Sequence, residues 1–183
     1  MQLVLQKKIC LLGAFAVGKT SLIMRYVDSI FNDKYHTTVG VKIDKKQLTV
    51  DDQDVTLMIW DLAGQDDLTR LRTSYLRGVA AYIIVADGTR PFSLETAINM
   101  HKEAREYTGD VPFIIALNKA DLMDTDKWQI DAEQLSSLEN AGVEIFLTSA
   151  KTGEQVETIF TRLTQKILQD NTSPSPSEKL AKS

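Results

Sequence analysis

The sequence predicts an α/β fold, a doubly wound and mostly parallel six-stranded sheet with one antiparallel edge hairpin and helices on both faces. Three observations carry that expectation. Apolar runs at 8–12, 81–86, 111–117 and 143–147 have strand length and are too uniformly apolar for a sheet with one wet face. Helical patterns alternate with them, as crossovers between parallel strands require. Two further segments, 41–50 and 55–60, flank Asp51-Asp52-Gln53-Asp54, a polar turn that folds them into a hairpin.

Taken in order, Lys8-Ile9-Cys10-Leu11-Leu12 is the first strand. Residues 21–27 form a helix, because Leu22, Ile23, Tyr26 and Val27 recur at helical spacing. Later helices are announced by Asp131 with Gln134 and by Thr152 with Gln155, each a cap residue followed by a partner three positions on. The last helix repeats Val156, Ile159, Phe160, Leu163 and Ile167, one stripe that should lie on the sheet. From residue 171 two prolines and several serines replace any apolar period. The expected organisation is one domain over 1–170 and a disordered tail over 171–183.

Composition narrows the function classes. The 183 residues, 43% of them hydrophobic, suit one domain with a sizeable core. With 21 basic and 25 acidic side chains and a net charge of −4, no general electrostatic grip on nucleic acid is expected. Cys10 stands alone, so an internal disulfide and a cysteine metal cluster are both excluded. No signal peptide and no apolar run of membrane-spanning length is evident, which makes the cytoplasm the expected compartment.

The most informative stretch is Gly13-Ala-Phe-Ala16-Val17-Gly18-Lys19-Thr20, set between the first strand and the first helix. Glycines at these positions let successive N–H groups, with those of Ala16, Val17 and the helix-opening Ser21, turn toward a polyphosphate. The helix N-terminus adds the positive end of its dipole. Lys19 would reach the β and γ phosphates, and the Thr20 hydroxyl would ligate Mg²⁺. A second loop, Trp60-Asp61-Leu-Ala-Gly64-Gln65, follows a strand. Asp61 would orient the metal, Gly64 would offer an N–H to the terminal phosphate, and Gln65 would position an attacking water. Taken alone, Asp61 reads more readily as the cap of a turn, an order that coupling to the phosphate loop reverses.

Two more loops address a base. The Asp121 carboxylate of Asn118-Lys119-Ala-Asp121 can accept from both the N1–H and the 2-amino group of guanine, donors that adenine does not present together. Lys119 would lie along the base plane and Asn118 would brace the loop. In Thr148-Ser149-Ala150-Lys151 the Ala150 N–H would meet guanine O6, with Lys151 covering the base. By itself that last stretch is also a plain lead into the Thr152 cap.

With these four motifs in order, residues 7–169 closely resemble the small GTPases of the Ras superfamily, with the P-loop NTPase (G domain) fold. Trp60 before Asp61, Thr38-Val39-Gly40 and Asp87-Gly88-Thr89 look most like the Rab branch. The resemblance implies GTP and GDP as ligands, Mg²⁺ held by Thr20, Thr38 and Asp61, slow hydrolysis and a monomeric switch. It also implies that Phe31 meets the guanine edge and that Tyr35 folds over the phosphates. Effector and regulator proteins would bind the two switches, at about 31–45 and 64–78.

Two departures stand out. Phe15 and Ala16 occupy loop positions that are commonly glycine in Ras, and a phenyl group beside the γ-phosphate would crowd Gln65 and any incoming arginine. A Phe15 that turns outward would be harmless. No cysteine follows Cys10, so no lipid anchor is expected in this chain, as in a soluble or a prokaryotic member of the superfamily. The alternatives to a slow GTPase are a GTP-locked binding module and a small ATP-dependent kinase. Against the kinase, Asn118-Lys-Ala-Asp121 selects guanine and no arginine-bearing lid is visible.

Overall fold

The computed structural model describes residues 4–32, 37–64 and 71–172. Six strands form one sheet in the order β2-β3-β1-β4-β5-β6: β1 (Leu5–Leu12), β2 (Val41–Val50), β3 (Gln53–Leu62), β4 (Ala81–Asp87), β5 (Phe113–Asn118) and β6 (Ile145–Thr148). Only the β2–β3 pair is antiparallel among these neighbours. Helices α1 (Lys19–Asp28), α2 (Pro91–Thr108), α3 (Ala132–Asn140) and α4 (Val156–Thr172) complete the alternation.

Because successive strand residues point to opposite faces, each central strand feeds two cores. Ile9 and Leu11 of β1, with Ile83 and Val85 of β4, pack under Leu22, Ile23 and Tyr26 of α1 and the Val156, Ile159, Phe160, Leu163, Ile167 stripe of α4. Tyr26 and Phe160 stack there with ring centroids 3.9 Å apart. Cys10 and Leu12, with Tyr82 and Ile84, meet Leu94, Ala97, Met100 and Ala104 of α2, joined by Leu135 and Leu138 of α3. Burial pushes the Cys10 thiol up to about 12, so it behaves as a small packing residue. Trp128 is likewise structural. Its ring covers Gly88 so closely that a Cβ would clash, and its indole donates to the Ile130 carbonyl at 2.8 Å.

The ladder and the caps move several expected boundaries. The hairpin turn is only Asp51-Asp52, because Gln53 and Asp54 pair with Val50 and Thr49 through backbone groups that ignore side-chain polarity. β5 starts after Pro112, which has no N–H to give. β6 starts at Ile145, leaving Val143 to pack beside it. Asp131 and Gln134 do form a reciprocal capping box on α3. Thr152 does not cap α4 as expected. Its hydroxyl accepts from Glu154 N–H at 3.3 Å, Gln155 sits at φ 54, and the helix begins only at Val156. α4 also runs on to Thr172, past the boundary expected at 170. Most of the 171–183 tail lies outside the described residues, as do Tyr35, His36 and Gln65.

Candidate functional site

Beyond the carboxyl ends of β1, β3, β5 and β6 lies a cavity of about 410 Å³. Ala16, Gly18, Lys19, Thr20, Ser21, Phe31, Thr38, Gly64, Asn118, Lys119, Asp121, Ala150 and Lys151 line it, as does Phe15. Four other sequence-predicted residues stand one layer back and reach the wall through hydrogen bonds. Gly13 accepts from Lys19, Asp61 from Thr20, and Val17 from Asn118, while Ser149 donates to Asp121. Met24, Asn32, Leu122 and Lys127 complete the lining without having been singled out in the sequence.

At one end the chain leaves β1, turns through Gly18 at φ 100 and starts α1 on Lys19. Any side chain at position 18 would strike the Asn118 amide, so only glycine fits that turn. Lys19 is 6% exposed, and its ammonium donates to the carbonyls of Gly13 and Ala14, both at 3.0 Å. Burial lowers its pKa to about 8, with Asp61 opposing that shift and Arg90 adding to it.

Beside it three oxygen-bearing side chains converge. Thr20 donates to Asp61 Oδ2 at 2.6 Å, and the Thr38 hydroxyl lies 2.7 Å from that of Thr20 and 3.2 Å from the same carboxylate oxygen. Asp61 is fully buried, and its Oδ1 has no hydrogen-bond partner among the described residues. Burial raises its pKa, against the pull of Thr20, Lys19 and Thr38. A buried carboxylate with one oxygen unpaired, next to two hydroxyls, suits a hard divalent cation such as Mg²⁺. Gly64 closes over this end, where a Cβ would lie 2.6 Å from Phe15 Cα.

The other end is built from the loops after β5 and β6. Asn118, 2% exposed, donates to the Val17 carbonyl at 2.9 Å and so ties this end to the phosphate-type loop. Its Oδ1 accepts from the Ala150 N–H at 3.2 Å. The amide expected to face a guanine oxygen is therefore paired within the protein, since a buried N–H must find an acceptor. Asp121 accepts from the Ser149 hydroxyl at 2.6 Å. Lys119, at φ 70, carries its ammonium to Asp87 Oδ2 at 2.6 Å while lining the cavity.

A family model described as the Ras family matches residues 8–169 of this chain. The chain belongs to the Ras family. It is 37% identical over 171 residues to the Ras-related protein Rab-21 of Geodia cydonium, an alignment covering 93% of this chain and 74% of that protein. It is 33% identical over 162 residues to the Ras-related protein Rab-2B of Dictyostelium discoideum, covering 88% and 80%. Against the Ypt/Rab-type GTPase YPT7 of Saccharomyces cerevisiae the identity is 32% over 171 residues, covering 90% and 82%. This Ras-family chain is thus a Rab-like small GTPase by descent.

Besides the lining residues Met24, Asn32, Leu122 and Lys127, Asp87 and Arg90 of this Ras-family site had no signal in the sequence. Asp87 is fully buried at the end of β4, where it receives Lys119, the Thr89 N–H and hydroxyl at 2.9 and 2.7 Å, and Arg90 Nε at 2.9 Å. Burial opposes its ionisation, but these donors outweigh it and hold Asp87 below the usual carboxylate range. Arg90 also donates to the Phe15 carbonyl at 2.8 Å, so one guanidinium joins the phosphate-type loop to the Lys119 loop. Asp87-Gly88-Thr89 had served only as a branch marker, and nothing near Arg90 in sequence signals a partner seventy-five positions away. Among the described residues no helix is long and apolar enough to cross a membrane.

Proposed function

We propose that this chain binds GTP and GDP with Mg²⁺, hydrolyses GTP slowly and acts as a nucleotide-dependent switch. The observation that carries the reading is the meeting of buried Lys19 with the Thr20, Thr38 and Asp61 oxygens at the N-terminus of α1. The backbone N–H groups from Gly13 to Thr20 receive the phosphates, and the Lys19 ammonium moves from two carbonyls to the phosphoryl oxygens. Thr20, Thr38 and Asp61 would hold Mg²⁺, which when bound would supply positive charge against the phosphate oxygens. Gly64 offers its N–H to the γ-phosphate, and Gln65 holds the water for in-line attack. Thr38 belongs to the first switch and Gly64 to the second, so loss of the γ-phosphate frees both from the same end of the cavity. Partner proteins that read about 31–45 and 64–78 would then sense the nucleotide. At the base end Asp121 selects guanine, Lys119 and Lys151 cover the ring, and Phe31 closes its edge.

A second reading, a GTP-locked binding module, is favoured by Phe15 alone. The residue lines the cavity, its Cα lies 2.6 Å from where a Cβ on Gly64 would be, and Arg90 pins its carbonyl. Single-turnover hydrolysis of preloaded GTP separates the two. A wild-type rate of about 10⁻⁴ to 10⁻³ per second is expected for the slow GTPase. Intact GTP after many hours, with turnover restored in Phe15→Gly, would establish the locked module instead. Competition of ATP against GTP for the site disposes of the kinase alternative if ATP fails to displace.

A further inference from the structure

Arg25 lies in the last turn of α1, outside every motif named above. Its Nε donates to the Ala150 carbonyl at 2.8 Å and its Nη2 to the Lys151 carbonyl at 2.6 Å. Nη1 reaches back to the Ser29 carbonyl at 3.5 Å, and the guanidinium carbon stands 6.0 Å from the centre of the Phe31 ring. One planar fork therefore spans two consecutive carbonyls of the loop after β6, and also touches the segment that carries Phe31. Lysine has no fork and would satisfy at most one of the two carbonyls at this geometry.

Both walls that Arg25 touches line the same end of the cavity, through Phe31 on one side and Ala150 and Lys151 on the other. The helix it rides on begins at Lys19, at the opposite end. We infer that Arg25 is a positioning residue that sets how long the nucleotide stays bound, by holding the Ala150–Lys151 and Phe31 walls against α1. The inference rests on the guanine-nucleotide reading given above. It adds that residence time is controlled from behind the base, by a side chain that does not line the cavity. Asn118 already fixes the Ala150 N–H from the sheet side. Arg25 fixes the carbonyl of that same residue from the helix side, so the loop opens only when one of the two lets go.

The test uses the full chain loaded with GDP that carries a methylanthraniloyl fluorophore on its ribose, chased with excess unlabelled GDP. Wild type, Arg25→Ala, Arg25→Lys and Arg162→Ala are compared. Arg162 of α4 pairs with Glu144 just ahead of β6, neither residue lines the cavity, and this variant controls for the loss of an arginine as such. Arg25→Ala is expected to release the label on the order of tenfold faster. Arg25→Lys should fall between it and wild type, and Arg162→Ala should match wild type. The single-turnover rate of GTP already bound should stay the same in Arg25→Ala, because the phosphate end is untouched, and a mere loss of stability would not produce that split. Release at the wild-type rate from Arg25→Ala overturns the inference, as does full rescue by lysine. Should Arg25→Ala fail to fold, faster release from Arg25→Lys than from Arg162→Ala supports the inference, and equal release overturns it. Wild type that takes up no labelled GDP overturns this inference together with the nucleotide reading, whereas normal uptake with unchanged release overturns this inference alone.

Discussion

At the base end of the cavity the polar side chains are paired with one another: Asn118 with Val17 and Ala150, Ser149 with Asp121, and Lys119 and Arg90 with Asp87. At the phosphate end a buried ammonium rests on two carbonyls, while a buried carboxylate keeps one oxygen without a partner among the described residues. The first arrangement pairs these side chains within the protein. In the second, both ionisable groups have pKa values displaced by burial in the direction that disfavours their charges. The difference teaches that the same cavity divides its work. The base end is tied together by its own hydrogen bonds, and at the phosphate end burial disfavours two charges, a cost that the proposed Mg²⁺-bound nucleotide would relieve.

The sharpest way to break this contrast is to substitute one residue at each end and melt the ligand-free protein. Lys19→Met removes the buried ammonium while keeping much of its length. Nucleotide affinity should fall on the order of 10²- to 10⁴-fold, since two or more charge-assisted hydrogen bonds to phosphate are lost. Stability without nucleotide should nevertheless rise near pH 7, because burial lowers the Lys19 pKa even with Asp61 beside it, so the folded state carries a net cost for that charge which methionine removes. Calorimetric melts and nucleotide titrations of the same preparation read both effects. A lower ligand-free melting temperature in Lys19→Met would mean that the ammonium is a structural support, and the contrast would collapse.

Asn118→Ala is the counterpart at the base end, with a smaller expected effect. It leaves the Val17 carbonyl and the Ala150 N–H without their partner in a buried setting, at a cost of about 1–3 kcal/mol. For a domain of this size that corresponds to a drop of roughly 2–4 °C per kcal/mol in the ligand-free melting temperature. The two variants should therefore shift the same melt in opposite directions. An unchanged melt in Asn118→Ala would show that the base end is assembled by the ligand after all.

Which parts of this picture were legible in the sequence follows from the range of the interactions. Four strands could be read because apolar runs record burial locally, the β2–β3 hairpin because a polar turn separates two extended segments, and Asp131 with Gln134 because a capping box closes within three residues. Glycine and lysine spacing placed Gly18, Lys19 and Thr20 correctly around one turn, and all three line the cavity. The same local logic failed at Thr152, where Glu154 took the hydroxyl and Gln155 turned left-handed. At Ala150 the amide is paired with Asn118 thirty-two positions earlier, a partner that local spacing does not reveal. Asp87, Arg90 and Arg25 could not be found at all. Their roles exist only once the sheet order brings β4 beside β5 and α1 beside the loop after β6, which no neighbouring residue encodes.

The finest test of the contrast is a proton count. Burial lowers the Lys19 pKa to about 8, whereas a lysine in an unfolded chain titrates near 10.4. Between those values the unfolded chain binds more protons than the folded one, so this residue's burial penalty is present in full below about pH 8 and fades as pH rises toward 10.4. Phosphate binding works in the opposite sense. Anionic oxygens around Lys19 favour its charged form and raise its pKa, so above about pH 8 each GDP bound should take up part of a proton, approaching one by pH 9. Affinity should then fall as pH rises, by about twofold at pH 8 and about tenfold at pH 9, a slope that Lys19→Met should lack. Titration calorimetry at pH 7 and pH 9, in two buffers of different ionisation enthalpy, measures the uptake directly. If no proton is taken up at pH 9, Lys19 is already charged in the empty site, and the phosphate end is as well satisfied before binding as the base end.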